Sequence, residues 1–126
     1  MSRVLIVDDS EDSRESFAKL IEAAGHTVAC AANGRDALFE IIGPHLPDVV
    51  LLDLLLPEMD GPSLLEVVRS YLRIQSLPVV VLTAMGDTPM IDHVQALKVN
   101  SILVKGKASP EDILKAIEEA LVRLPG

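Results

Sequence analysis

At 126 residues and 13.6 kDa the chain has the size of one domain, long enough to bury most of a single core. Hydrophobic residues make up 49% and charged residues 24%, a globular composition that excludes intrinsic disorder. A formal charge of −8 and a pI near 4.7 exclude nucleic-acid binding by a basic surface.

The first apolar run, Val4-Leu5-Ile6-Val7, ends in Asp8-Asp9 and reads as a strand, too short to be a signal-peptide core. Ser13 to Ala24 follows with helical spacing that places Phe17, Leu20, Ile21 and Ala24 on one face, and Gly25 stops it. Thr27 to Ala31 reads as a second strand. It holds the lone cysteine, Cys30, expected to be a small buried hydrophobe that forms no internal disulfide, in a reducing cytoplasm. Gly34 to Ile42 is a second helix with Ala37, Leu38 and Ile41 inward.

Asp48 to Asp53 is almost wholly apolar, the pattern of a central strand covered on both faces. Leu64, Leu65, Val68 and Leu72 then form the stripe of a third helix within Pro62 to Arg73. Val79 to Thr83 is the fourth strand, about Pro89 to Lys98 the fourth helix, and Ile102-Leu103-Val104 a short fifth strand ending at Lys105. The last helix has the clearest start, with Ser109 as N-cap, Pro110 in the first turn and Asp112 completing a capping-box pattern. Its buried stripe is Ile113, Leu114, Ile117, Leu121 and Leu124. The longest apolar stretch, Val49 to Leu56, is interrupted by Asp53 and falls far short of a membrane span. His26, His45 and His93 lack ligand spacing, so no zinc site is expected.

Strands alternating with helices predict a single domain over residues 1–126, an α/β doubly wound (βα)5 sandwich with a five-stranded parallel sheet. In such a sheet the carboxyl ends of the strands lie along one edge, where ligands bind. Asp8, Asp9 and Asp53, with the Thr83 hydroxyl and the Lys105 ammonium, therefore converge on one spot, a set that suits an oxygen-ligated Mg²⁺ and a phosphoryl group.

These pieces in this order resemble the response-regulator receiver domain of two-component signalling systems, the kind found alone in chemotaxis regulators. The likeness runs from Arg3 to about Leu124 and rests on Asp8-Asp9, Asp53, Pro57, Asp60, Gly61, Thr83-Ala84 and Lys105. It implies a flavodoxin-like strand order of 2-1-3-4-5. It also implies that Asp53 is the phosphoacceptor, a carboxylate nucleophile that becomes an aspartyl phosphate. Asp9, Asp53 and the backbone carbonyl of Leu55 would bind Mg²⁺ directly, and Asp8 through water. Thr83 and Lys105 would each donate to a phosphoryl oxygen, and the small Ala84 would leave room for it. Gly61 is expected to shape the loop after the third strand, with access to a positive φ.

Departures from the family pattern stand out. Gly106 follows Lys105 where proline is usual, which points to a trans peptide and a looser loop. Ile102 occupies the place of the usual aromatic switch, and Leu97-Lys98-Val99-Asn100 lacks the customary small residues. Leu55 and Met85, both apolar, occupy the positions that flank the approach of hydrolytic water.

The resemblance implies a cytoplasmic phosphoprotein that takes its phosphoryl group from a sensor histidine kinase or phosphotransfer protein. It would catalyse only its own phosphorylation and dephosphorylation. The chain ends soon after the fifth helix, so output is expected through a protein target bound by the face of the fourth helix, fifth strand and fifth helix. Neither nucleic acid nor membrane is an expected partner, and the expected state is monomer or weak dimer. The alternative is a pseudo-receiver, a docking module that is never phosphorylated. A haloacid-dehalogenase-type phosphatase would need a second Asp where Leu55 stands, and a flavodoxin-like cofactor site would need a Ser/Thr/Gly-rich loop where Asp8-Asp9 would repel phosphate.

Overall fold

Short apolar runs with β-branched residues become strands here, and amphipathic runs with capping residues become the helices between them. The computed structural model describes residues 2–54, 56, 60–70, 76–84 and 89–122, with residues 89 and 90 described by backbone alone. The strands are β1 (Arg3–Val7), β2 (Thr27–Ala31), β3 (Val49–Leu52), β4 (Val79–Thr83) and β5 (Ser101–Val104). The helices are α1 (Glu11–Ala23), α2 (Gly34–Ile42), α3 (Gly61–Ser70), α4 (Pro89–Gln95) and α5 (Pro110–Val122). All strand pairs are parallel and the order is β2-β1-β3-β4-β5, as the resemblance implied.

The period-2 alternation of each strand sends side chains into two separate cores. Leu5, Val7, Val50, Leu52, Val79 and Val81 face α2, α3 and α4, together with Ala37, Ile41, Leu64, Leu65, Val68 and Val94. Val4, Ile6, Val49, Leu51, Val80 and Leu82 face α1 and α5, with Ile21, Ile113 and Ile117. β1, β3 and β4 are buried on both faces, which is why their sequences read as unbroken apolar runs.

Capping chemistry fixes the helix ends. Ser109 and Asp112 exchange hydrogen bonds of 2.9 and 3.0 Å at the start of α5, the reciprocal box its sequence implied. Bonds from Ser109 hold the Asp112 carboxyl below its ordinary pKa. Asn33 caps α2 through its side chain on Asp36 N, and Asp60 caps α3 through Ser63 N. Gly25, at φ +96°, closes α1.

Several expectations need correction. α1 begins at Glu11, two residues earlier than the periodicity suggested, because the Ser10 side chain accepts the capping bond from Ser13 N, and Ala24 is an exposed C-cap residue. α4 stops at Gln95, short of Lys98. Lys98 instead takes φ +60°, the left-handed conformation that glycine would adopt more easily. The Arg69 guanidinium, at the end of α3, holds that turn by donating to the carbonyls of Leu97 and Leu77, each at 2.8 Å, and of Lys98 at 3.2 Å. Burial lowers the Arg69 pKa below its ordinary value. Cys30 is exposed, not buried, because it lies on the edge strand β2. Leu72 and Leu124, assigned to buried stripes, lie outside the described residues, as does Pro57.

Gly61 is glycine for space, not for a positive φ. It opens α3 in the buried layer, and a Cβ there would stand 2.7 Å from Leu54 Cα and 3.1 Å from the Asp53 carbonyl oxygen. Gly61→Ala must push the backbone that carries Asp53. Urea denaturation should show a loss of about 1–3 kcal/mol, the usual cost of overpacking. An unchanged midpoint would mean that this contact is not tight.

Candidate functional site

The site lies where the strands end. Asp8 follows β1, Asp53 follows β3, Thr83 closes β4 and Lys105 follows β5. Backbone pairing continues past the strand ends and fixes these positions, with Asp8 N donating to Ala31 O at 3.1 Å, Asp53 N to Val7 O at 2.9 Å and Lys105 N to Thr83 O at 2.8 Å. Asp8, Asp53 and Thr83 are thus held at the ends of buried strands, and Lys105 at the end of the half-buried β5.

Asp8, Asp9 and Asp53 each offer a carboxylate oxygen within 4.8 Å of the other two. Asp8 and Asp53 are buried and Asp9 is exposed, so the cluster opens to solvent on one side. Lys105 Nζ bridges the two buried acids, 2.6 Å from Asp8 Oδ2 and 2.9 Å from Asp53 Oδ2. Burial disfavours the ammonium, but its hydrogen bonds to Asp8 and Asp53 and their negative charge outweigh that, and the Lys105 pKa lies above the ordinary lysine value. Thr83 is buried beside them.

Two contributors escaped the sequence reading. Ser10 N donates to Asp8 Oδ1 at 2.9 Å, so both oxygens of Asp8 are engaged. Arg14, one turn into α1, donates through Nη1 to the Asp8 carbonyl at 2.7 Å and fixes the loop that carries Asp9. The acidic Glu11 and Asp12 immediately after Ser10 were the available sign that α1 starts here. Nothing in the sequence marked Arg14. The Lys105–Gly106 peptide is trans, as expected, and Gly106 takes φ +84°, a conformation closed to proline. Leu55 and Met85, to which a metal-binding carbonyl and control of water access were assigned, lie outside the described residues.

Three carboxylates against one ammonium leave two negative charges over when all are ionised, the charge of a divalent cation. The donors are hard oxygens, one of them open to water. That fits Mg²⁺, which is held by one or two carboxylates and keeps much of its hydration.

Residues 4–118 match the family model described as the response regulator receiver domain. The response regulator Rre1 of Synechocystis sp. is 37% identical over 120 residues, 94% of this chain and 51% of that protein. The chain thus spans about half the length of this curated relative. Among solved structures, a putative response regulator from Chloroflexus aurantiacus superposes with a TM-score of 0.89 at 33% identity, covering 97% of this chain and 98% of that one. The chemotaxis response regulator CheY4 of Vibrio cholerae gives 0.87 at 30%, covering 96% and 99%.

Replacing Lys105 tests the bridge. Lys105→Met keeps the apolar stem but leaves Asp8 and Asp53 facing each other, and should cost about 1.5–3 kcal/mol at neutral pH in EDTA. Because folding raises the Lys105 pKa, the stabilisation is complete below the unfolded lysine value of about 10.4 and is lost as pH rises through the higher folded value. The gap between wild type and variant should therefore close in that alkaline window. A gap that persists there would show that the ion pair is not its source.

Proposed function

The chain belongs to the response regulator receiver family, and we propose that it is a phosphoacceptor whose nucleophile is Asp53. Residues 1–126 are read as a single receiver domain. The observation that carries this reading is the bridge of Lys105 across Asp8 and Asp53, beside the open carboxylate of Asp9. A carboxylate oxygen of Asp53 attacks the phosphorus of a phosphohistidine donor. The P–N bond breaks, and the imidazole leaves with the electron pair and takes up a proton. Little covalent work falls to the protein in such a transfer, so positioning and charge stabilisation are its main tasks.

Mg²⁺ would be held by Asp9, Asp53 and the Leu55 carbonyl, with Asp8 acting through water, and would supply positive charge for the phosphoryl oxygens. Lys105 would exchange its bond to Asp53 for one to a phosphoryl oxygen and keep its bond to Asp8. Thr83, already buried at the end of β4, would donate its hydroxyl to another. The donors are a sensor histidine kinase or phosphotransfer protein. Output runs through a protein target on the face of α4, β5 and α5 rather than through nucleic acid. Among the described residues no helix is long and apolar enough to cross a membrane.

Ile102 supports a second reading. It is half-buried against the core that α4 covers, where a receiver's aromatic switch would stand. A pseudo-receiver that docks partners without phosphorylation would need no such switch.

Mass spectrometry after incubation with Mg²⁺ and acetyl phosphate separates the two. The phosphoacceptor gains one phosphoryl group, labile to base and hydroxylamine, which Asp53→Asn or EDTA prevents. A protein that stays unmodified with every donor is the docking module.

The metal has its own test. A cation that binds only the folded site raises the melting temperature by mass action. Millimolar Mg²⁺ should stabilise wild type, and Asp9→Asn should abolish the shift. Equal shifts in both proteins would contradict the assignment of Asp9.

A further inference from the structure

The sheet has an open edge at β2, and its hydrogen-bond parity shows which groups are free to pair. Thr27 N donates to Ser2 O at 2.8 Å, and Asp8 N to Ala31 O at 3.1 Å. In a parallel ladder alternate residues bond the neighbour, so Thr27, Ala29 and Ala31 serve β1. Val28 and Cys30 turn their N–H and C=O groups to the opposite side, where β2 has no neighbouring strand among the described residues.

Natural sheet edges are blunted by charged side chains, proline or bulges. Thr27-Val28-Ala29-Cys30-Ala31 contains no charge, no proline and no glycine. Beside it lies a cleft of about 500 Å³ lined by Arg14, Cys30, Ala31, Asp36, Phe39 and Glu40. Phe39 is 62% exposed there, and the rim carries charges of both signs.

We propose that this edge pairs antiparallel with the β2 edge of a second copy, with Ala29 on the two-fold axis. The edge is its own complement in this register. Val28 of each copy faces Cys30 of the other, and each such pair exchanges two hydrogen bonds, which uses every outward group of the strand. Ala29 then meets its own mate at a non-hydrogen-bonded position, where Cα atoms approach to about 4.5 Å and a small side chain fits. The two-fold sets the Arg14, Asp36 and Glu40 rims of the two copies side by side. The joined sheets are continuous across the axis. The interface is small, so the dimer is a weak one.

The test is sedimentation of the whole chain with two variants. Wild type should dimerise at concentrations on the order of 100 µM, between the millimolar and micromolar marks of the affinity scale. Cys30→Pro removes only an outward N–H, a place where edge strands tolerate proline. It should keep the circular dichroism and melting temperature of wild type while weakening the dimer by at least about tenfold. Independently, Ala29→Cys with Cys30→Ser should cross-link rapidly under mild oxidant, because the facing Cα atoms fall within disulfide range. Wild-type Cys30, offset from its mate, should not. A wild type that stays monomeric near 1 mM (roughly the limit for a weak specific contact) would overturn the proposal. So would an undiminished dimer of folded Cys30→Pro, or cross-linking of wild-type Cys30 as fast as that of the Ala29→Cys variant.

Discussion

One ammonium beyond one strand holds two buried carboxylates at the ends of two others, and the rest of the site depends on it. Lys105 sits 2.6 Å from Asp8 and 2.9 Å from Asp53, beyond β5, while its partners follow β1 and β3. Without a cation, two buried acids beside a third would repel one another and loosen the loops that carry them. With it, they stay close and hydrogen-bonded, in the geometry that a divalent ion and a phosphoryl group can use. The same bridge gives the site a way to register a change. On the proposed reading, a phosphoryl group on Asp53 would offer Lys105 stronger acceptors than the carboxylate does, and a shift of Nζ would pull on the turn after β5.

The fold supplies the precision. Buried β1, β3 and β4 leave their strand ends no freedom, and the backbone bonds from Asp8, Asp53 and Lys105 continue the ladder into the site. Gly61 and Arg14 act from behind. Gly61 lets α3 start against the backbone of Leu54 and Asp53, and Arg14 ties α1 to the Asp8 carbonyl. Neither has any chemistry to perform on phosphate. Both set where the carboxylates stand. The site opens on the side that faces solvent, where Asp9 is exposed.

The site was legible in the sequence because each of its residues closes an apolar run, and a parallel sheet brings such ends together. The strand order came only from the resemblance, since periodicity does not say which strands are neighbours. Helix starts were less legible. Ser10 and Ser13 can both cap on paper, and the acidic first turn of Glu11 and Asp12 was the sign that favoured Ser10. Cys30 looked buried because its run is apolar, but an edge strand exposes residues that the same pattern would bury in a central one. Gly61 was read as a conformational glycine when its reason is a neighbouring backbone, a long-range contact that no local pattern contains. Lys98 shows the reverse case, a long side chain in a left-handed turn that Arg69 ties, through the Leu97 and Lys98 carbonyls, to the Leu77 carbonyl before β4.

The most direct test of the account is a crystal structure of the protein with Mg²⁺ and beryllofluoride, a stable mimic of the phosphoryl group. The account predicts beryllium bonded to an Asp53 carboxylate oxygen, the cation in contact with Asp9 and Asp53, and Lys105 Nζ moved from Asp53 to a fluoride while it keeps Asp8. A structure in which Asp53 is unmodified and Lys105 still bridges both acids, at saturating concentrations of both reagents, would contradict it.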